Sequence, residues 1–308
     1  MCCSSPRPRI LGVGLACLDY LFLSPPVAPG RGGPLRDYRV QGGGVIGTAL
    51  VAAARLGAYT ELWSWVGDDA PGRLVLAELA DEGVATQGVE TRAGARTPLS
   101  FVQVDEETGE RTIYHGPYLA VPAAQMAALA ARKFEFDAVV VDAYWPEASA
   151  RAAERARQAG IPVVGDLCPT EALSDLTGLI THLIAPKSCA ERLAPDAAWE
   201  TRLTALTAQG PRFAAVTVGD EGCYYLSGGK LSHQPPFSVP VVDTTGAGDA
   251  FHGAFAYALG KRWSEDRAVT LASAVGALTC RALGGRTAIP NLEETTAFLN
   301  MQSETNWE

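Results

Sequence analysis

The sequence predicts an α/β fold: a mostly parallel central sheet with helices on both faces, carrying a small β-rich flap. Three observations lead there. Short β-type runs alternate with Ala- and Leu-rich helix-like stretches, the order that sets parallel strands side by side through helical crossovers. The strand candidates are continuous apolar runs, as strands buried on both faces read. Two segments break the pattern: a Pro- and Gly-rich stretch over 21–41 and a hairpin pattern over 96–116.

The elements follow in order. RILGVGL (9–15) opens the sheet, and residues 47–56, rich in the strong helix formers Ala and Leu, predict the first helix. ELWSWVG (61–67) is the next strand and 72–82 the next helix. RTPLSFVQVDEETGERTIYHG (96–116) reads as two strands about a polar turn at Glu107 to Gly109. Paired with 21–41, it predicts a small antiparallel flap projecting from the sheet. Further on come helix 122–132, strand DAVVVDA (137–143), helix 148–159, strands IPVVGDL (161–167), HLIAP (182–186) and FAAVTVG (213–219), and helices 249–259 and 265–280. With no fixed-period repeat and no Pro/Ser-rich linker, the expectation is one domain over 1–308 with the flap as a lid.

Composition narrows the function classes. A chain of 308 residues, 47% hydrophobic and 19% charged, can bury a large core. Its formal charge of −9 opposes non-specific nucleic-acid binding, which needs a basic surface. Trp63, Trp65 and Trp145 therefore read as core or flap packing and not as stacking platforms for bases. No apolar run is long enough for a membrane span, and MCCSSPRPRI lacks a signal peptide's hydrophobic region, so the chain reads as cytoplasmic. Its seven cysteines lack paired spacing and are expected as reduced thiols.

VVDTTGAGDAFHGAF (241–255) carries the chemistry. If 239–242 ends a strand and Ala250 begins a helix, the amides of Gly246, Ala247 and Gly248 surround a helix N-terminus, where small residues let an anion approach the backbone. Asp249 beside them can take a proton from a hydroxyl while the amides hold a phosphoryl group's charge. On spacing alone a tight turn followed by a capping aspartate fits equally well. His252, on an apolar helix, reads as a satisfied core histidine.

DTTGAGDAFHGAF resembles the C-terminal signature of the ribokinase-like, or pfkB, carbohydrate kinases. GGGVIGTALVAAARLGA (42–58), WVGDDAPG (65–72), TVGDEGC (217–223) and ASAVGALTCRALGGRTAIP (272–290) resemble other segments of that family, in the family's order. The resemblance implies a ribokinase-like fold and transfer of phosphate from ATP, with Mg2+, to a sugar hydroxyl. Asp249 would be the base and Gly246, Ala247 and Gly248 the anion hole. Asp19, Gly43 and Gly44 would hold sugar hydroxyls, with Thr48, His115 and Tyr144 along the sugar. Thr217, Gly219, Gly222 and Lys187 would lie beside ATP. Asp243 and Thr245, with the 281–287 loop, would hold a monovalent cation such as K+. A homodimer through the lid is implied as well.

Departures from the family pattern qualify the substrate. Lys187 and Ala190 stand where many relatives carry Asn and Glu, and Thr48 where they carry Asn. A surface lysine explains Lys187 as well as a phosphate contact does. HQPPFSVPVVDTTGAGDAFHGA and GGRTAIP are closest in flavour to the sulfofructose kinase branch, but a sulfonate demands cations. The positions expected at the sugar's far end, Gly32, His115 and Tyr144, include no permanent cation, while Arg31, Arg36 and Arg111 read as exposed flap arginines. The expectation is a neutral sugar, a ketohexose or ribose. The alternatives are a nucleoside kinase of the same family and a non-catalytic sugar or nucleotide sensor.

Overall fold

Alternate strand residues enter two apolar layers, one on each face of a nine-stranded sheet. In β1 (Arg9–Val13), Ile10 packs into one layer while Leu11 and Val13 pack into the other; in β8 (Ala138–Asp142), Ala138 and Val140 oppose Val139 and Val141. The computed structural model describes residues 7–27, 30–116, 133–302 and 307. The expected helix over 122–132 lies outside them.

The first layer is covered by α1 (Val45–Arg55), α2 (Ala70–Asp81), α7 (Ala247–Gly260) and α8 (Glu265–Thr279). The second lies under α3 (Pro146–Gln158), α5 (Lys187–Leu193) and α6 (Trp199–Thr207). The remaining helices are α4 (Ser174–Leu179) and α9 (Leu292–Gln302). Around β1 and β8 the sheet holds β4 (Tyr59–Gly67), β5 (Val84–Arg92), β9 (Val163–Asp166), β10 (His182–Pro186), β11 (Phe213–Thr217), β12 (Cys223–Ser227) and β13 (Lys230–Gln234). Their order is β13-β12-β11-β10-β9-β8-β1-β4-β5, antiparallel only at the β11-β12-β13 end. The chain runs from β1 to β4 and β5, then returns to place β8 on the other side of β1. Such a reversal opens a crevice at the strands' carboxyl ends, where ligands of open α/β sheets bind.

The flap is a separate four-stranded sheet of order β3-β2-β6-β7, built from β2 (Cys17–Ser24), β3 (Asp37–Gly43), β6 (Leu99–Asp105) and β7 (Arg111–His115). It is mixed and not purely antiparallel as expected, because β2 and β6 pair in parallel. The Leu18 amide donates to the Pro98 carbonyl (3.0 Å) where the two strands begin, so they start side by side and run in the same direction.

Three other expectations change. Residues 239–242 form no strand; they are a loop whose Val242 and Asp243 amides donate to the Cys280 carbonyl at the end of α8. The Pro240 ring supplies no donor for a ladder. Cys168 and Cys189 form a disulfide, not two thiols, because parallel pairing of β9 and β10 brings the segments that follow them together. Cys17, Cys223 and Cys280 are free and buried. Finally α1, α2, α3 and α7 each begin two residues before the expected position. In α2, α3 and α7 the added residues include Pro or Gly, which read as loop in sequence but which the first helical turn, needing no amide donors, accepts. Trp63, Trp65 and Trp145 are buried, as expected.

Candidate active site

The glycine turn lies at the crevice. Gly246 caps α7 in a left-handed conformation (φ 74°), with no side chain bonded to the helix end. A Cβ there would run into the Gly285 backbone, so the turn requires glycine. Among the described residues no carbonyl accepts the amide of Gly248 or Asp249, and the Ala247 amide makes only a long bond to the Thr244 carbonyl (3.4 Å). The space a Cβ would fill at Gly248 is open. Free donors, open space and a helix N-terminus together make an anion cradle. Asp243 fixes its base: its carboxylate accepts the Thr245 and Gly284 amides, each at 2.8 Å, while the buried Thr245 hydroxyl has no partner.

Asp249 follows the cradle, partly open to the cleft. Burial is the main cause that pushes its carboxyl up to about 7; Asp166 and Asp19 add to the rise, and His252 and Arg111 oppose it. His252 is the satisfied core histidine expected, with Nδ1 2.7 Å from the Gly248 carbonyl and 3.3 Å from Asp166, and Nε2 3.2 Å from the Ile184 carbonyl.

Asp142, which ends β8, escaped the sequence reading. Its carboxylate accepts the Leu15 amide (2.7 Å) and the Tyr144 amide (3.0 Å), and a side chain at Gly14 would overlap it. The Leu15 carbonyl in turn accepts the Ile46 and Gly47 amides at the start of α1. One buried carboxylate therefore holds the exit of β1, the start of α1 and Tyr144. Burial pushes it up to about 7, against its two amide bonds and with help from Asp166 and Asp249. An Asp closing the apolar run VVVDA was the available signal.

Of the residues expected at the sugar, Asp19 is buried on β2, its Oδ1 accepting the Cys17 thiol (3.1 Å), and a Cβ on Gly43 would overlap its carboxylate. Its pKa is raised by burial and restrained by Cys17, Arg286, Ser100 and His115. Arg286 was also not singled out from the sequence. Its buried guanidinium donates to the Gly43 carbonyl (2.8 Å) and the Thr48 hydroxyl (3.3 Å), bracing the Gly43-Gly44 turn from behind. Thr48 is thus engaged by Arg286. The Tyr144 hydroxyl is pushed up to about 12 by burial and by Asp142 and Asp249. Asp249, Tyr144, Asp19 and His115 each lie within electrostatic reach of at least one other of this group. Gly32 is exposed. A cleft of about 660 Å3 between β3 and α2 shares Gln41, Arg286 and Thr287 with the back of the turn but reaches neither Asp19 nor Asp249.

The residues expected beside a nucleotide gather at the ends of β10 and β11. Thr217 pairs with Pro186, while Gly219 (φ 55°) and Gly222 (φ 88°) shape the next turn; a Cβ at Gly222 would overlap the Gln234 carbonyl. Gly219 borders open space. Lys187 joins this turn through an ion pair with Glu221 (2.9 Å). Arg111 is exposed, as expected, but its role differs: Nη1 donates to the Thr244 hydroxyl (2.8 Å), and its charge bears on Asp249.

A family model described as pfkB family carbohydrate kinase matches residues 9–292. The chain is 27% identical over 272 residues to a ribokinase of Haemophilus influenzae, covering 86% of this chain and 89% of that protein. It is 31% identical over 306 residues to fructokinase-1 of rice (Oryza sativa subsp. japonica), covering 84% and 87%. A solved structure from Agrobacterium tumefaciens, described as a candidate ribokinase, superposes with a TM-score of 0.87 at 33% identity over 97% of this chain and 100% of that one.

Proposed function

Because the chain belongs to the pfkB family of carbohydrate kinases, we propose that it moves the γ-phosphoryl group of ATP to a hydroxyl of a small neutral sugar, a ketohexose or ribose, with Asp249 as base. The carrying observation is a single juxtaposition: amides without partners at the start of α7, and beside them a carboxylate poised near neutrality. A base with a pKa near the working pH balances being unprotonated against being able to take a proton. Asp19 and the Gly43-Gly44 turn, braced by Arg286, orient the sugar so that one hydroxyl faces Asp249. The flap excludes water, which would compete as acceptor.

ATP fits the open, glycine-shaped turn of Thr217, Gly219 and Gly222 and the cradle at Gly246, Ala247 and Gly248. When bound with magnesium it supplies the transferable phosphoryl group, and the chain's own amides receive the charge that spreads over that group's oxygens. A monovalent cation would find the buried, unpartnered Thr245 hydroxyl and the neighbouring carbonyls. Two copies would associate through the outer face of the flap.

The test is ADP release over a panel of sugars and nucleosides, with Asp249→Asn beside the parent. Asp249→Asn lowers kcat by about 10² or more and leaves ATP affinity largely unchanged. Parent-like turnover in that variant rejects Asp249 as base. Release with nucleosides alone identifies a nucleoside kinase, and the absence of release with every sugar and nucleoside identifies a sensor.

A further inference from the structure

Past the ends of two paired strands, a disulfide takes over from the sheet. β9 and β10 keep their parallel register only as far as Asp166 and Ile184. Beyond them the Cys168–Cys189 bond joins the loop after β9 to α5. Each cysteine lies two residues past a charged residue that bears on the site. Asp166 adds to the rise of Asp249 and stands 3.3 Å from His252, while Lys187 opens α5 and pairs with Glu221 in the turn between Gly219 and Gly222. The bond therefore ties the base side of the cleft to the side expected beside a nucleotide. α5 has seven residues and no side-chain cap, too few to hold a helix by themselves, so its position rests on such attachments.

The surroundings favour opening. Cys168 is half-buried, whereas Cys189 and the thiols of Cys17, Cys223 and Cys280 are buried. Arg192, also on α5, donates from Nη2 to the Cys168 sulfur at 2.6 Å. A guanidinium there favours the thiolate, the form that leaves when a disulfide is reduced and attacks when one is made.

We propose that the Cys168–Cys189 bond is a reversible thiol–disulfide switch, opened by a dithiol, that sets nucleotide affinity through α5 and Lys187. This rests on the kinase reading above. In the opening step a thiolate of the dithiol attacks the Cys168 sulfur, the Cys168–Cys189 bond breaks, and Cys189 leaves with the electron pair and takes a proton. The dithiol's second thiolate then attacks the sulfur now bound to Cys168, and Cys168 leaves as a thiolate against Arg192. Two electrons thus pass to the protein, and the dithiol ends as a cyclic disulfide. Once the bond is open, α5 is no longer anchored to the loop after Asp166, and the Lys187–Glu221 pair loses its fixed end.

The whole chain, poised in buffers of reduced and oxidised dithiothreitol, tests this by two readouts. Alkylation followed by peptide mass mapping finds Cys168 and Cys189 bonded in the oxidising buffer and both alkylated in the reducing one, with return on reoxidation. Calorimetry gives ADP a Kd at least about fivefold higher in the reduced protein. Cys168→Ser and Cys189→Ser bind ADP like the reduced parent in either buffer, and if either fails to fold, the parent's own titration decides. Arg192→Gln keeps the oxidised parent's ADP affinity but re-forms the bond at least about threefold more slowly. In turnover, reduction raises the ATP KM and leaves the sugar KM within about twofold. Thiols at both positions in the oxidising buffer, a bond that survives the reducing buffer in the folded protein, or equal ADP affinity in the two states overturns the proposal. A lower melting temperature on reduction with unchanged ADP affinity makes the bond structural and overturns the switch as well. A parent that turns over no sugar or nucleoside overturns the kinase reading instead, and alkylation and ADP binding still judge the switch; ADP binding in neither state overturns both.

Discussion

Two carboxylates near the cleft, Asp249 and Asp142, are each pushed up to about 7 by burial. Folded, they hold a proton more tightly than in the unfolded chain, where a carboxyl titrates near 3.8. Their ionisation therefore opposes folding above pH 7, and that opposition is relieved as pH falls from about 7 toward about 4. Asp249→Asn should then raise the melting temperature at pH 8 by a few degrees, about the scale of one or two kcal/mol in a chain of this size, and raise it less at pH 5. Calorimetric melts at the two pH values check this; an equal gain at both would show that desolvation is not the cause. Turnover in the parent should rise with pH through about 7, as the base loses its proton. Asp142→Asn keeps one acceptor oxygen and sets an amide group against the Leu15 or Tyr144 N–H. It should raise the sugar KM about tenfold or more, the order of one lost buried hydrogen bond, with the ATP KM unchanged. Equal changes in both constants would make Asp142 a general stability residue.

Elements place these residues through close backbone approach. α7 crosses α1 where a Cβ on Gly253 would overlap the Ala49 carbonyl. The helix carrying the cradle can therefore lie against the helix that starts at the Gly43-Gly44 turn only while residue 253 has no side chain. Gly253→Ala should destabilise by about 2 kcal/mol or more, an overpacking penalty, read from the urea midpoint. Gly178 in α4 has open space at its Cβ position, and Gly178→Ala should be neutral or slightly stabilising. If the two behave alike, the crossing is not under steric constraint.

Across the whole molecule, the period of two in the flap divides its roles. Asp19, Ser100 and His115 share the face toward the cleft. Tyr20, Val40, Phe101 and Tyr114 lie in register on the other, where Tyr38, Phe101 and Tyr114 are 65%, 47% and 60% exposed. A contiguous aromatic patch of this kind is the surface through which the proposed dimer would form. Light scattering should give twice the chain mass for the parent and the single mass for Phe101→Lys. A monomeric parent at working concentration removes the dimer. No helix among the described residues is long and apolar enough to cross a membrane.

Local order was legible without coordinates. Apolar runs placed six strands of the main sheet, HLIAP to the residue, and GAGD marked the start of the helix that carries the cradle. These are properties of neighbours in the chain, where side-chain period and backbone freedom leave a local imprint. Missed β5, with a polar and half-buried sequence, and the β12-β13 hairpin lacked the apolar run that identified the others. Tertiary structure alone brought Arg111 to Thr244, Arg286 to Gly43, Asp142 to Leu15 and Cys168 to Cys189, and made β2 parallel to β6. Those partners are separated by between 21 and 243 residues. Nothing in the period of either segment encodes a meeting that depends on how the sheet orders its strands, and so the cleft's composition was readable while its electrostatics and its bracing were not.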